Sequence, residues 1–284
     1  MLKFMDKYGL IGYPLGHSMS PLIHNKLFAL SGIEDFSYEL IEIAPEKLAE
    51  SGDMLRELRG FNITIPHKTA IIPMADRLGE SAERYNSVNC ISNDNGVMTG
   101  YNTDCDGFLR SAELLPLGGK VLLVGCGGVG RMIAIEAALH GAELTIAVLP
   151  DAVKTAQLVM AEILSKCGNA AVKICLVNEI EGKFDLLVNA TPVGMYPKVD
   201  ACPVSDEVIE NCLSFFDVIY NPIETLLIKK ARALGRTAVG GAAMLVYQAV
   251  KAHEIWYGGE FSTEDISAVI KDVEDEVEKM NRGN

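Results

Sequence analysis

Residues 120–130 constrain this chain more than any other stretch. Lys120-Val121-Leu122-Leu123-Val124 is a continuous apolar run, Gly125-Cys126-Gly127-Gly128-Val129-Gly130 follows at once, and an apolar helical pattern continues to His140. A strand with no polar face belongs inside a parallel sheet covered by helices on both sides. Gly125, Gly127 and Gly130 then supply what a strand-to-helix turn needs if its backbone is to approach a pyrophosphate, with phosphate oxygens facing the unpaired amides of the helix N-terminus. The same glycines also serve a plain strand-to-helix turn, so the spacing alone does not decide. Arg131 either adds a cation to that phosphate site or lies solvated on the helix.

Further alternation follows. Strand patterns at 144–148, 172–177, 185–189 and 215–219 and a helix at 152–166 complete a doubly wound, Rossmann-like α/β unit. In such units an acid after the second strand bonds a ribose 2′-hydroxyl, whereas an arginine there accommodates a 2′-phosphate. Here Ala147, Val148, Leu149 and Pro150 supply neither, and Asp151 and Lys154 come a turn later.

The first hundred residues alternate as well, with strands at 8–13, 36–43 and 61–65 and helices at 21–30 and 46–58, which predicts a mostly parallel sheet. A hairpin is expected at 88–91 and 97–99 around Asn93-Asp94-Asn95-Gly96, whose residues tolerate positive φ. A connecting helix is expected at 104–115. The C-terminal stripe Ile266, Val269, Ile270, Val273 and Val277 is amphipathic, with acids on its other face. A length of 284 residues suits about two domains at roughly 150 residues each. The expected division is 1–104 with 241–284 against 105–240, the last helices returning to the first domain.

An apolar fraction of 49% rules out disorder, and the balance of 25 basic against 38 acidic residues, net −13, argues against nucleic acid and anionic membrane partners. The N-terminus lacks an apolar core of signal-peptide length, and no apolar run reaches the ~18 residues of a membrane span. A cytoplasmic protein is expected. Seven cysteines without a Cys-x-x-Cys pair read as reduced core thiols rather than a disulfide or metal framework.

Four polar clusters interrupt the first domain near strand ends: His17-Ser18-Met19-Ser20-Pro21, Asn62-Ile63-Thr64-Ile65-Pro66-His67-Lys68, Asn86-Ser87-Val88-Asn89 and Tyr101-Asn102-Thr103-Asp104. Each has a plain structural use: Ser20 as a helix N-cap, Asn62 and Thr64 as outward strand positions, Asp104 as a second cap. His17 and His67 read as structural or peripheral. Joined in order to the glycine loop, Asn189-Ala190-Thr191-Pro192-Val193-Gly194-Met195, Asp217-Val218-Ile219-Tyr220-Asn221-Pro222 and Met244-Leu245-Val246-Tyr247-Gln248-Ala249, these clusters resemble the shikimate dehydrogenase family from about Gly12 to Gly258.

The resemblance implies a substrate domain and a dinucleotide domain that together reduce 3-dehydroshikimate reversibly with NADP, in a monomer or homodimer that needs no metal. It places Lys68 and Asp104 as the catalytic pair. It places Ser18, Ser20 and Tyr220 at the substrate carboxylate, Thr64 nearby, and Asn89 and Gln248 at ring hydroxyls. The dinucleotide falls to Gly125, Gly127, Gly128, Val129, Gly130, Arg131 and Thr191, with Gly241 and Met244 at the nicotinamide. The chemistry of the residues agrees, because oxidising a secondary alcohol releases a hydroxyl proton that an amine can take, and amide and hydroxyl side chains suit a polyhydroxylated ligand. Val148-Leu149-Pro150 departs from the family's 2′-phosphate clasp and leaves NAD open. Cys90, Cys105, Gly240 and Ala243 differ from common family residues. A quinate-preferring dehydrogenase and a non-catalytic shikimate-binding paralogue stay open as alternatives.

Overall fold

The computed structural model describes residues 5–16 and 18–282; the expectation for His17 lies outside them. The chain divides into two compact units, Met1–Gly107 with Val246–Val273, and Phe108–Leu245 with Glu274–Asn284. The divisions fall inside the helices Asp104–Ser111, Ala242–Tyr257 and Thr263–Arg282 rather than at 104/105 and 240/241. These helices pass the boundaries without a proline to break them.

The first unit holds strands β1 (Asp6–Gly12), β2 (Phe36–Glu42), β3 (Gly60–Ile63), β4 (Arg77–Leu78), β5 (Cys90–Asp94) and β6 (Val97–Tyr101), in the order β2-β1-β3-β5-β6-β4. Pairings of β1 with β2 and β3, and of β4 with β6, are parallel; the β5–β6 hairpin and its pairing to β3 are antiparallel. The hairpin turns on Asn95 and Gly96 at φ +53° and +87°, the two consecutive positive values that a two-residue turn requires. Ile11, Leu55, Phe61, Ile63, Ile71 and Ile91 fill the core of this unit.

The helix expected at 46–58 is broken. Pro45–Lys47 and Ala49–Ser51 are single 3₁₀ turns, and only Gly52–Arg56 is α-helical. Short turns suffice to bury Leu48, Leu55 and Leu58, and Ser51 and Gly52 weaken a continuous helix through backbone competition and entropy. Ser20 is also not the N-cap it resembles: it is the first helical residue of Ser20–Leu30, behind Met19.

The second unit holds β7 (Lys120–Val124), β8 (Glu143–Val148), β9 (Ala171–Leu176), β10 (Phe184–Asn189), β11 (Cys212–Asp217) and β12 (Thr237–Val239), all parallel, ordered β12-β11-β10-β7-β8-β9. The strand order reverses at β7 and β10, so a switch-point crevice opens at their carboxyl ends. The glycine run leaves β7 there, and Asn189-Ala190-Thr191 leaves β10. The fifth strand of the unit starts at Cys212 rather than 215, and β12 was not legible because three residues carry no period.

None of the seven cysteines is in a disulfide; four are buried and Cys167, Cys175 and Cys202 are only half-buried, which corrects the reading of all as core thiols. Among the described residues no helix is long and apolar enough to cross a membrane.

Candidate active site

The candidate residues fall into two groups, one in each unit. In the first, the short helix His67–Ala70 follows β3 and carries Lys68, and the helix Asp104–Ser111 follows β6 and carries Asp104. Lys68 Nζ donates to Asp104 Oδ2 at 2.5 Å. Both side chains keep access to solvent, at 27% and 18% exposure, so the pair is shielded yet reachable by a ligand. Asn89, buried just before β5, holds Asp104 from the other side: its Nδ2 donates to Oδ1 at 2.9 Å and to Thr103 Oγ1 at 3.0 Å. Its Oδ1 accepts the Thr103 backbone N–H at 2.6 Å. Thr103 Oγ1 lies 3.5 Å from Gln248 Oε1, which brings Gln248 into the same group.

Ser18 Oγ accepts the Ser20 N–H at 3.2 Å, which leaves the Ser18 hydroxyl hydrogen free to donate. Thr64 lies just past β3, half-buried, with its N–H bonded to Ile11 O at 2.9 Å. Asn62 faces inward rather than outward: it is buried and accepts the Tyr38 phenol at 2.8 Å. Burial pushes the Tyr38 phenol up, and a hydrogen bond with Ser20 offsets part of that. Asp104 opens its helix as a helical residue, with the carboxylate turned to Lys68 and Asn89. His67 is buried with Nε2 2.6 Å from Ile43 O, a structural tie. Thr103 and Tyr38 were passed over in sequence; Thr103 stood inside a noted cluster, whereas nothing local marked Tyr38.

In the second unit, Gly125 sits at φ +93°, and a Cβ there would meet Thr191 at 2.6 Å. A Cβ on Gly130 would meet the Gly125 carbonyl oxygen at 2.5 Å. These two glycines close the turn onto the loop after β10. Gly127 and Gly128, at the exposed N-terminus of the helix Gly128–Leu139, meet nothing within 4 Å. The space over them, next to Val129, is open, and the unpaired amides of a helix N-terminus in such a space can receive phosphate oxygens. Arg131 is held by Glu162, with Nε to Oε2 at 2.7 Å and Nη2 to Oε1 at 2.6 Å, so most of its charge is already answered. Gly241 packs where a Cβ would lie 2.3 Å from Val218 O, and Met244 is buried beside it in the chain. Tyr220 follows β11 and is half-buried, its phenol pushed up by burial.

The family described as the shikimate dehydrogenase substrate binding domain matches residues 10–91. A shikimate dehydrogenase (NADP(+)) of Caldanaerobacter subterraneus subsp. tengcongensis is 38% identical over 268 residues, covering 91% of this chain and 93% of the relative. The chain belongs to the shikimate dehydrogenase family. Solved shikimate dehydrogenases share its fold. One in complex with NADP+ superposes at TM-score 0.86 with 33% identity, over 94% of this chain and 95% of that one. Shikimate 5-dehydrogenase of Listeria monocytogenes, in complex with shikimate and NAD, gives 0.84 with 30% identity over 94% and 96%.

For a member of the shikimate dehydrogenase family, two of the residues that differ, Cys90 and Cys105, lie buried in the first unit. Cys90 is fully buried in β5, its thiol pushed up by burial, and Cys105 Sγ lies 2.9 Å from Tyr85 OH. The pyrophosphate end fits a dinucleotide. At the ribose end Leu149 is 61% exposed, Asp151 and Lys154 are exposed, and residues 148–150 present no side-chain donor.

Proposed function

We propose that this chain catalyses the reversible NADP(H)-dependent reduction of 3-dehydroshikimate to shikimate. The observation that carries the reading is the Lys68–Asp104 pair at 2.5 Å, locked from behind by Asn89. A binding protein has no use for an amine and a carboxylate in proton-transfer contact within a half-shielded polar group.

When bound to the glycine loop, the dinucleotide supplies or accepts the hydride. Reduction of the ketone also requires a proton at oxygen, and Lys68 Nζ is the donor; in the reverse direction it takes the hydroxyl proton. Asp104 holds the Lys68 amine in place and accepts from an adjacent ring hydroxyl. Asn89 and Gln248 carry amides for the remaining ring hydroxyls, and Ser18, Ser20 and Tyr220 supply hydroxyl donors for the carboxylate, with Thr64 beside them. A site of this kind rejects a ligand that lacks a hydroxyl by ~10⁴-fold or more, because its buried polar groups are left unpaired. Gly241 and Met244 border the nicotinamide end, and Thr191 with Gly125 to Arg131 border the phosphates. The compartment we assign is the cytoplasm, in keeping with seven cysteines none of which is in a disulfide.

The test is absorbance at 340 nm with shikimate and NADP+, repeated with NAD+ and with quinate. Turnover of shikimate is expected. Shikimate binding without turnover by any combination would overturn the enzyme reading and leave a binder; turnover of quinate alone would reassign the substrate.

A further inference from the structure

The carboxyl ends of β10 and β11 are joined by a polar chain whose two buried centres, Asn189 and Asp217, have no assigned role. Asp217, fully buried at the end of β11, accepts three hydrogen bonds from three different segments. Its Oδ1 takes the Asn189 amide at 3.0 Å and the Ile219 backbone N–H at 3.1 Å, and its Oδ2 takes the Thr225 hydroxyl at 2.7 Å. Asn189, also fully buried, turns its Oδ1 to Thr191, accepting the backbone N–H at 3.1 Å and the hydroxyl at 2.7 Å. Thr191 Oγ1 in turn accepts the Val193 N–H at 3.2 Å. On the other side Thr225 Oγ1 caps the helix Leu226–Ala233 through the Ile228 N–H at 3.3 Å. The two loops meet again where the Tyr196 N–H donates to Asn221 O at 3.0 Å.

Burial lifts the Asp217 carboxyl to about 6 in spite of these three donors. An apolar pair would join two strand ends without that desolvation penalty. Only a carboxylate, with acceptor sites on both oxygens and no hydrogen of its own, accepts from Asn189, Ile219 and Thr225 together. What those donors share is their neighbours. Asn189 fixes Thr191, against which Gly125 of the glycine loop is packed, and Ile219 and Thr225 bracket Tyr220.

We infer that Asp217 is a positioning residue for both ligands, fixing Thr191 of the dinucleotide loop through Asn189 and the Tyr220 turn through Ile219 and Thr225. This rests on the reading above, in which Thr191 and Tyr220 bind dinucleotide and substrate. Asp217 touches neither ligand, so its effect falls on affinity and passes through two separable branches.

The test uses the full chain and its Asn189→Ala, Thr225→Val, Asp217→Asn and Asp217→Ala variants. Dissociation constants and KM are measured for NADP+ and for shikimate, with circular dichroism and Tm beside them. Asn189→Ala is expected to weaken NADP+ about tenfold, the equivalent of one lost hydrogen bond in the bound state, and to leave shikimate within about twofold. Thr225→Val is expected to do the reverse. Asp217→Ala weakens both, and Asp217→Asn, which keeps an oxygen for Asn189 and Ile219 but not the acceptor for Thr225, behaves like Thr225→Val. Folded Asn189→Ala, Thr225→Val and Asp217→Asn variants that lose Tm yet bind both ligands like the parent would overturn the inference and leave Asp217 a purely structural residue. A parent chain that binds neither NADP+ nor shikimate would instead overturn the functional reading, and this inference with it.

Discussion

Lys68 Nζ reaches Asp104 Oδ2 at 2.5 Å across 36 residues of sequence, and Asn89 Nδ2 reaches the other oxygen of the same carboxylate at 2.9 Å. The carboxylate is therefore fixed in direction by two donors, and it fixes the amine in turn. Replacing the amine in Lys68→Ala removes the proton donor, and kcat is expected to fall by ~10² to 10⁴, the usual worth of general acid-base catalysis, with a smaller change in KM for shikimate. Asp104→Asn should lower kcat as well, and the double variant should cost little more than the worse single one, since the two act as a unit. Steady-state rates at 340 nm decide it: a rise in KM at constant kcat would make Lys68 a binding residue.

The glycines separate a structural loop from a cradle. Gly130→Ala drives a Cβ to 2.5 Å from the Gly125 carbonyl oxygen, and overpacking of this kind costs about 1–3 kcal/mol. Its Tm should fall, and dinucleotide affinity with it. Gly127→Ala and Gly128→Ala meet nothing in the protein; at Gly128, the first helical residue, alanine is the better helix former, whereas at Gly127, the N-cap, glycine is the better residue. Tm should hold or rise for Gly128→Ala and fall slightly for Gly127→Ala, while the Kd for NADP+ increases in both, because the added methyl enters the space over the helix amides. Thermal melts paired with titrations check this, and unchanged affinity in both variants would reduce the loop to a turn.

What could be read beforehand divides along physical lines. The second unit was legible because β7, β8 and β10 are buried on both faces and announce themselves as apolar runs, and because Gly125 and Gly130 are demanded by backbone clearance. The hairpin at Asn95 and Gly96 was legible for the same reason, a demand for positive φ. Residues 46–58 misled because Leu48, Leu55 and Leu58 have helical spacing but are buried by separate short turns. At the site, Lys68, Asp104 and Asn89 stood out as polar residues at strand ends. Tyr38 meets Asn62 across 24 residues and Asn189 meets Asp217 across 28, and pairings of that kind leave no local pattern. The Arg131–Glu162 pair spans 31 residues and could not be anticipated from either residue.

Acid should unfold the protein through two histidines. His24 Nδ1 lies 2.8 Å from His253 Nε2, both rings are fully buried, and they stack at 5.0 Å between centroids among Tyr38, Phe28 and Trp256. Burial pushes His24 down to about 3 from 6.5 and His253 well below its ordinary value. The folded chain keeps both neutral where the unfolded chain would bind protons, so their contribution is full above about pH 6.5 and is lost as pH falls below it, for His24 toward about 3. Asp217 acts in the opposite sense: raised from 3.8 to about 6, its contribution is present below about 3.8 and lost as pH rises through about 6. Two histidines outweigh one carboxyl, and Tm should drop between about pH 7 and about pH 4. The His24→Phe, His253→Leu double variant should show a smaller drop; an equal one would mean that the pair does not govern acid stability.

Cofactor choice should be loose at the ribose. In sheets of this order the residue after the second strand meets the 2′ position, and here it is followed by Leu149, 61% exposed, then Pro150 and an exposed Asp151. Arg131, the cation nearest the phosphates in sequence, is already clasped by Glu162. With no guanidinium pledged to a 2′-phosphate, NADP+ gains little over NAD+, and the ratio of their kcat/KM values is expected to stay within about tenfold, or ~1.4 kcal/mol. Leu149→Arg places a planar donor fork at that position and should raise the ratio about tenfold in favour of NADP+, since charge-assisted bidentate contacts to phosphate are among the stronger hydrogen bonds. Initial rates with each dinucleotide at saturating shikimate measure both quantities. A parent chain that already prefers NADP+ by ~10³ or more, equivalent to about 4 kcal/mol, would mean that a cation outside residues 148–151 holds the 2′-phosphate, with Lys154 in the next helical turn the first to replace by alanine.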